Sequence, residues 1–256
     1  MKQLVPIRVL MELKADDGAW APDPPAVDMP LYEEAIAWMV ERGRQIGGVR
    51  AVCDLGPIRY PGLSDIDLLY VVDEARLDVR ALETLKRMRV PERFHAALLH
   101  DPYLVRERDL ARIFEFTPIL QLRPRWDPDG LCPAAKNEDA LNLTLTLAEI
   151  TAESYPHEFA RLLLRRPWDA RELVSRLKGL GYCIDLLRRL HGRGFVEADE
   201  FAAHVEALRG AWCGLPAERR REQTLALTRQ AIGLSLRLAM ELADALAAAW
   251  GMRVGG

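Results

Sequence analysis

The feature that most constrains the fold is an apolar run at residues 66–72, which begins at a pair of aspartates. Apart from the second aspartate, the run is apolar throughout, a pattern typical of a strand buried on both faces. Side chains alternate between the two faces of a strand, so Asp65 and Asp67 are expected to point to the same face. We therefore predict a buried strand whose leading end carries two neighbouring carboxylates.

The residues around this run predict a mixed order of helices and strands. Apolar residues at helical spacing predict an amphipathic helix that ends at Gly47-Gly48, and a short strand follows it. The predicted elements of the first part are, in order, a helix over 31–46, strands over 49–55 and 66–72, a helix over 78–88, and strands over 94–99 and 117–122. This order is typical of an α/β or α+β domain.

The second part of the chain has a different texture. Residues 123–130, rich in Pro, Asp and Gly, are predicted to be a linker, and we place a domain boundary near residue 135. Asp169 is predicted to cap one of the helices that follow. Helices are predicted over 138–154, 157–166, 169–191, 197–212 and 217–250, the last with a break near Gly233. The predicted fold class is α+β, a small mixed-sheet domain followed by an α-helical bundle.

Composition excludes several classes of protein. The net charge of −3 argues against a generally basic nucleic-acid binder, so nucleic acid is not an expected partner. The apolar stretch at 225–250 contains four charged residues, too many for a membrane span. Four well-separated cysteines predict buried thiols in a reducing compartment, so we expect a cytoplasmic protein. The arginine-rich residues 161–193 favour solvated helix faces over a wall that receives an anionic ligand.

The two aspartates also predict chemistry. Adjacent carboxylates at the mouth of an apolar strand repel each other, and a divalent cation removes that repulsion. Mg²⁺ prefers a few carboxylates together with waters and phosphate oxygens, and two such ions can brace a phosphoryl transfer. In the preceding loop, Gly56 and Gly62 would let backbone N–H groups approach a phosphate, and Arg59 would neutralise its charge.

The run Pro-Gly-Leu-Ser-Asp-Ile-Asp-Leu-Leu at 61–69 resembles the DNA-polymerase-β-like nucleotidyltransferase superfamily, of the aminoglycoside or minimal type. The resemblance covers residues 31–122 or so. It implies a nucleotidyltransferase-like domain over 1–135 with a small mixed sheet, and a helical substrate- or partner-binding domain over 136–256. It further implies a two-metal mechanism that uses two Mg²⁺ ions and a nucleoside triphosphate, with ATP as the expected nucleotide.

The resemblance assigns roles to individual residues. Asp65 and Asp67 would be catalytic and hold the metal ions. Asp101, which follows a predicted strand, would be the third catalytic carboxylate, with Glu115 as the alternative. The nucleotide-binding residues would be Gly56, Arg59, Gly62 and Ser64. The expected reaction moves a nucleoside monophosphate to a hydroxyl of a small molecule or of a protein, which is therefore an expected partner.

One departure from the family pattern keeps a second hypothesis open. Pro57 stands where the family has a serine, and proline offers the phosphates neither a hydroxyl nor an N–H. The alternative is a catalytically degenerate module that binds a nucleotide or a protein partner. His95 and His100 lie near the predicted third strand and could approach the site, although a surface or loop role is favoured for both. The acceptor and the oligomeric state stay open.

Overall fold

The chain is of mixed α/β class and divides into two compact units, Pro24–Thr144 and a second that combines Met1–Asp23 with Leu145–Gly256. In the computed structural model, the residues described are 20–23, 25, 27–77, 80, 83, 90–116, 122–133, 154–191 and 196–254. Three predicted elements lie largely outside these residues: the helix over 78–88, the strand over 117–122 and the helix over 138–154.

The sheet-containing unit begins with helix α1, Met29–Arg44. Asp28 caps it, because its side chain accepts a hydrogen bond of 3.1 Å from the Leu31 N–H. The helix ends shortly before Gly48, whose φ of +94° brings its backbone against Leu77, where a side chain would collide. The first strand begins directly after this tight turn. The predicted helix is confirmed.

Four strands form a mixed sheet in the order β3-β2-β1-β4. Strand β1 is antiparallel to both β2 and β4, while β2 and β3 are parallel. The strands are β1 (Val49–Asp54), β2 (Leu68–Val72), β3 (Tyr103–Arg106) and β4 (Arg123–Trp126). The first two confirm the predicted strands at 49–55 and 66–72.

Strand β2 is buried on both faces, as its sequence predicts. Leu68, Tyr70 and Val72 pack in the core that includes residues of α1. Leu69 and Val71 belong to a second core, which includes Phe114 of the short helix α2, Ile113–Phe116. A strand with apolar cover on both sides is held firmly in register, because a one-residue slip would exchange the two faces.

The predicted strand at 94–99 is wrong. A 3₁₀ turn spans Glu92–Phe94, and the N–H groups of Ala97 and Leu98 both donate to the carbonyl of Phe94. Phe94, Ala97 and Leu98 are all buried, with the spacing of one helical face instead of the alternation of a strand. The strand that pairs with the other side of β2 lies later in the chain, at β3.

The predicted linker at 123–130 is wrong in its first half, where β4 forms. The sequence did not indicate a strand here, because alternate residues of β4 are arginines and Pro124 lies between them. Arg125 donates a 2.7 Å hydrogen bond to the buried Asp54 of β1, so a charge pair replaces the expected apolar contact. Proline is tolerated here because β4 is an edge strand.

The second unit is helical in its described parts. Residues 154–164 are helical, and three longer helices, α3 (Ala170–His191), α4 (Val196–Ala211) and α5 (Ala217–Val254), pack on one another. The Asp169 carboxylate caps α3 by accepting from the N–H groups of Arg171 and Glu172, at 2.8 and 3.1 Å. Helix α5 runs unbroken through Gly233, so the expected break is wrong.

The cysteines differ from the prediction of four buried thiols. Cys53 and Cys132 are joined as a disulfide, and Cys213 is exposed. Cys183 alone keeps the predicted state, and burial raises the pKa of its thiol to about 11. None of the helices in the described part of the chain combines the length and apolar character that crossing a bilayer requires.

Candidate metal centre

The two aspartates lie where the sheet brings together the amino-terminal ends of two parallel strands. Asp65 and Asp67 directly precede β2, and His100 precedes β3. Leu69 of β2 is in register with Tyr103 of β3, so the segments that lead into the two strands run side by side. Parallel pairing therefore brings His100 to the aspartates, although it follows Asp67 by 33 positions in the sequence.

The three side chains form a compact group of potential metal ligands. His100 Nε2 is 2.9 Å from Asp67 Oδ1 and 3.7 Å from Asp65 Oδ2. One ligand atom from each residue lies within 4.8 Å of the other two. The side chains of His100, Asp65 and Asp67 are 33, 29 and 36% exposed, so solvent and solutes reach the group.

A backbone carbonyl fixes the orientation of the His100 ring. His100 Nδ1 is 2.7 Å from the carbonyl oxygen of Asp101, which can only accept, so Nδ1 carries a proton and donates it. The ring of Tyr103 lies beside the imidazole, with ring centroids 5.0 Å apart. Nε2 is consequently the nitrogen that faces the two carboxylates.

The carboxylates change the charge state of His100. The hydrogen bond to Asp67 raises the pKa of His100 to about 9, against the opposing effect of burial, and the Asp101 carbonyl and the Asp65 charge add to the rise. In the metal-free protein at neutral pH, an imidazolium therefore lies between two carboxylates. A metal ion that binds the three residues takes the place of the Nε2 proton.

The loop before the aspartates is closed by its own hydrogen bonds. The Gly62 N–H donates to the hydroxyl of Tyr32 at 3.1 Å, and this hydroxyl donates to the Ser64 carbonyl at 2.6 Å. Ser64 Oγ accepts from the Tyr60 N–H at 3.2 Å, and the Ser64 N–H donates to the Tyr60 carbonyl at 2.8 Å. Gly62 has φ +87°, a backbone conformation that favours glycine.

The predicted nucleotide-binding residues therefore fall into two pairs. The backbone N–H groups of Gly62 and Ser64 are engaged within the protein, which holds the loop in shape. Gly56 and Arg59 are exposed, and a Cβ atom added at Gly56 would meet open space. Contact of any of the four with phosphate stays a prediction.

The predicted third carboxylate is not part of the ligand group. Asp101 is exposed, and it takes part through its backbone carbonyl. Glu115, the alternative, lies in α2. Among the described residues, the group with metal-ligand spacing consists of Asp65, Asp67 and His100. A catalytic role for Asp101 stays a prediction.

His100 is the candidate ligand for which the sequence favoured the wrong role, although its approach to the site was left open. The prediction placed a strand before it, at 94–99, and treated the histidine as a loop residue. One signal was available, since His100 precedes the short run Tyr103–Arg106 much as Asp67 precedes Leu68–Val72. Recognising it would have required knowing that the two runs pair in parallel.

Several described arginines of the arginine-rich segment make contacts within the helical unit. Arg176 pairs with Glu158 at 3.3 Å, and Arg188 pairs with Asp199. The guanidinium of Arg166 lies over the Trp168 ring, 4.4 Å from its centroid. These contacts favour the interpretation of the segment as ordinary helix faces.

Comparison with protein-family models, with curated proteins and with solved structures gave no match for this chain.

Proposed function

We propose that the chain is a metal-dependent nucleotidyltransferase that transfers a nucleoside monophosphate from a nucleoside triphosphate, with ATP as the expected nucleotide. The acceptor is a hydroxyl of a small molecule or of a protein. The observation that carries the proposal is the pair Asp65 and Asp67, held at the leading end of a doubly buried strand beside a loop closed by hydrogen bonds. In the proposal, the catalytic part is the sheet-containing unit Pro24–Thr144, in place of the predicted limits 1–135 and 136–256, and the helical part is the other compact unit. A cytoplasmic location stays a prediction, and the Cys53–Cys132 disulfide removes the argument from reduced thiols on which it rested.

The ligand group has dimensions suited to a divalent cation. Bonds of about 2.1 Å place neighbouring ligand atoms of an octahedral ion about 3 Å apart and opposite atoms about 4.2 Å apart. The distances of 2.9 and 3.7 Å from His100 Nε2 to the two carboxylates lie in this range. Asp65 and Asp67 would hold the ions, two Mg²⁺ in the family pattern, and bound metal would supply positive charge to the phosphates.

Residues of the chain would bind the phosphates and accept the proton of the acceptor hydroxyl. Gly56 and Arg59 would bind the phosphates, because they lie exposed in the loop before the aspartates. The acceptor oxygen forms a bond to the α-phosphorus, and the bond between this phosphorus and the bridging oxygen breaks to release pyrophosphate. Asp101 would accept the proton of the acceptor hydroxyl, since its carboxylate is exposed next to His100.

One observation favours the alternative, a degenerate module that binds a nucleotide or a protein partner. The His100 imidazolium places positive charge between the carboxylates in the position where a metal ion would act. In this alternative the histidine replaces the ion, and the group stabilises the amino-terminal ends of β2 and β3 without catalysis.

Transfer from labelled ATP tests the proposal. The protein is incubated with ATP labelled at the α-phosphate, Mg²⁺ or Mn²⁺ and cell extract, and modified products are identified by mass analysis. The wild type should label an acceptor, and Asp65→Ala/Asp67→Ala should reduce labelling by about 100-fold or more, because removing one such stabilising group already costs that much. The double variant Glu34→Ala/Glu41→Ala removes two exposed carboxylates of α1 and should label normally.

Two results would contradict the proposed function. Full labelling by Asp65→Ala/Asp67→Ala would place any transfer chemistry elsewhere. ATP binding by the wild type without any transfer would favour the degenerate module.

A further inference from the structure

We propose that Asp65, Asp67 and His100 bind one first-row transition-metal ion, such as Mn²⁺ or Zn²⁺, more tightly than they bind Mg²⁺. The proposal rests on the ion site of the proposed function and changes the class of ion that occupies it. Its ligand atoms would be one oxygen of each carboxylate and Nε2 of His100.

The chemistry of the donors is the first argument. Mg²⁺ is a hard cation that takes oxygen ligands and binds through carboxylates, waters and phosphates. Imidazole nitrogen suits Zn²⁺, Fe²⁺ and Ni²⁺, and Mn²⁺ accepts it beside carboxylates. A site with two carboxylates and one imidazole therefore discriminates against Mg²⁺, which gains little from the nitrogen.

The geometry of the histidine is the second argument, and it is independent of the first. Metal-binding histidines almost always donate their other ring N–H to a carboxylate, a backbone carbonyl or water, which fixes the tautomer and the ring orientation. His100 makes this contact through Nδ1 to the Asp101 carbonyl at 2.7 Å. Nε2 therefore points toward both carboxylates, so the three residues would bind the same ion.

Access is the third argument. Each of the three side chains is about one-third exposed, so an ion bound between them keeps coordination positions open to water or substrate. Three protein ligands with open positions are typical of catalytic metal sites, whereas structural sites are closed.

Pulsed electron paramagnetic resonance of bound Mn²⁺ tests the nitrogen ligand directly. The full-length protein is stripped with EDTA and loaded with Mn²⁺ without nucleotide. Electron spin-echo modulation should show coupling to a directly bound ¹⁴N, and labelling the histidines with ¹⁵N should replace this coupling with that of ¹⁵N. Bound Mn²⁺ without nitrogen coupling would overturn the proposal, and the comparison needs no variant that might misfold.

Variants assign the nitrogen to one residue. His100→Asn should abolish the nitrogen coupling and weaken Mn²⁺ binding at least tenfold, because losing even a hydrogen-bond partner of a ligand costs about 10- to 100-fold. His95→Asn is the matched control, since His95 is exposed and its Nε2 contacts the Val90 carbonyl at 2.9 Å. Unchanged Mn²⁺ affinity and coupling in His100→Asn would overturn the assignment.

A third variant tests the choice of ion. His100→Asp makes the ligand set all oxygen, so the ratio of Mg²⁺ to Zn²⁺ affinity should rise at least tenfold over that of the wild type. Equal or tighter binding of Mg²⁺ than of Mn²⁺ and Zn²⁺ by the wild type would contradict the proposal. Nitrogen coupling without nucleotidyl transfer would leave this inference standing and sink the proposed function, while transfer without nitrogen coupling would do the reverse.

Discussion

At the scale of single residues, the charge of His100 decides how Asp65 and Asp67 coexist. Two carboxylates at the amino-terminal end of an apolar strand repel each other, and the sequence alone suggested that a metal ion neutralises them. The structure adds a second possibility, since the imidazole of His100 lies 2.9 Å from one carboxylate and 3.7 Å from the other, and its raised pKa favours the protonated form. Proton and metal ion therefore compete for the same nitrogen.

This competition predicts a pH dependence in the metal-free protein. The folded-state pKa of His100 is raised to about 9, above the ordinary value of 6.5, so its contribution to stability is fully present below pH 6.5 and is lost as the pH rises through 9. In the presence of EDTA, nuclear magnetic resonance should place the His100 titration midpoint near 9. The free energy of unfolding should fall more between pH 6 and pH 10 in the wild type than in His100→Gln. A midpoint near 6.5 would contradict the charge state described.

A second prediction concerns the hydroxyl of Tyr32. Tyr32 is fully buried, and its hydroxyl joins the Gly62 N–H to the Ser64 carbonyl. Tyr32→Phe leaves both groups without this partner and should lower the free energy of unfolding by about 1–3 kcal/mol, measured by urea denaturation. Tyr182→Phe, at an exposed tyrosine of α3, should change it by less than about 0.5 kcal/mol. Equal effects in the two variants would show that Tyr32 does not hold the loop.

At the scale of elements, the sequence predicted what depends on local pattern. Helix α1 and strands β1 and β2 follow from periodicity and from the glycines that end α1. The prediction failed for the 94–99 segment because its apolar run fits either a strand or a helical turn, and burial of Phe94, Ala97 and Leu98 decides between them. It failed for β4 because this strand pairs through a long-range contact between Arg125 and Asp54. The site followed the same rule, because Asp65 and Asp67 are neighbours in sequence whereas His100 reaches them only through parallel pairing.

The helical unit offers a prediction at this scale. A side chain at Gly179 of α3 would overlap the Tyr155 hydroxyl, whereas one at Gly181 would meet open space. Gly179→Ala should therefore destabilise the protein by about 1–3 kcal/mol, and Gly181→Ala should stabilise it by about 0.5–1 kcal/mol because glycine disfavours helices. In thermal or urea unfolding, Tyr155→Phe should reduce the cost of Gly179→Ala. Independent, additive effects would contradict close packing of the Tyr155 hydroxyl on Gly179.

At the scale of the whole molecule, several charged side chains are paired within their own compact unit. The net charge is −3, and several arginines of the helical unit are held by carboxylates or aromatic rings within that unit. Arg59 is instead exposed in the loop that precedes the aspartates. Counting charges needs no structure, whereas the positions of the pairs required the fold; the class of partner stays a prediction.

The central claim is that Asp65 and Asp67 bind a nucleotide through a metal ion, and calorimetric titration with ATP tests it most directly. ATP should bind the wild type in the presence of Mn²⁺ or Mg²⁺ and lose that binding when EDTA removes the metal. Arg59→Ala should weaken binding by roughly ten- to a hundredfold, the value of a charge-assisted hydrogen bond. Asp65→Asn/Asp67→Asn should abolish the metal-dependent part of the binding, with Glu34→Ala/Glu41→Ala unchanged. Full metal-dependent ATP affinity in Asp65→Asn/Asp67→Asn, or no ATP binding by the wild type, would contradict the claim.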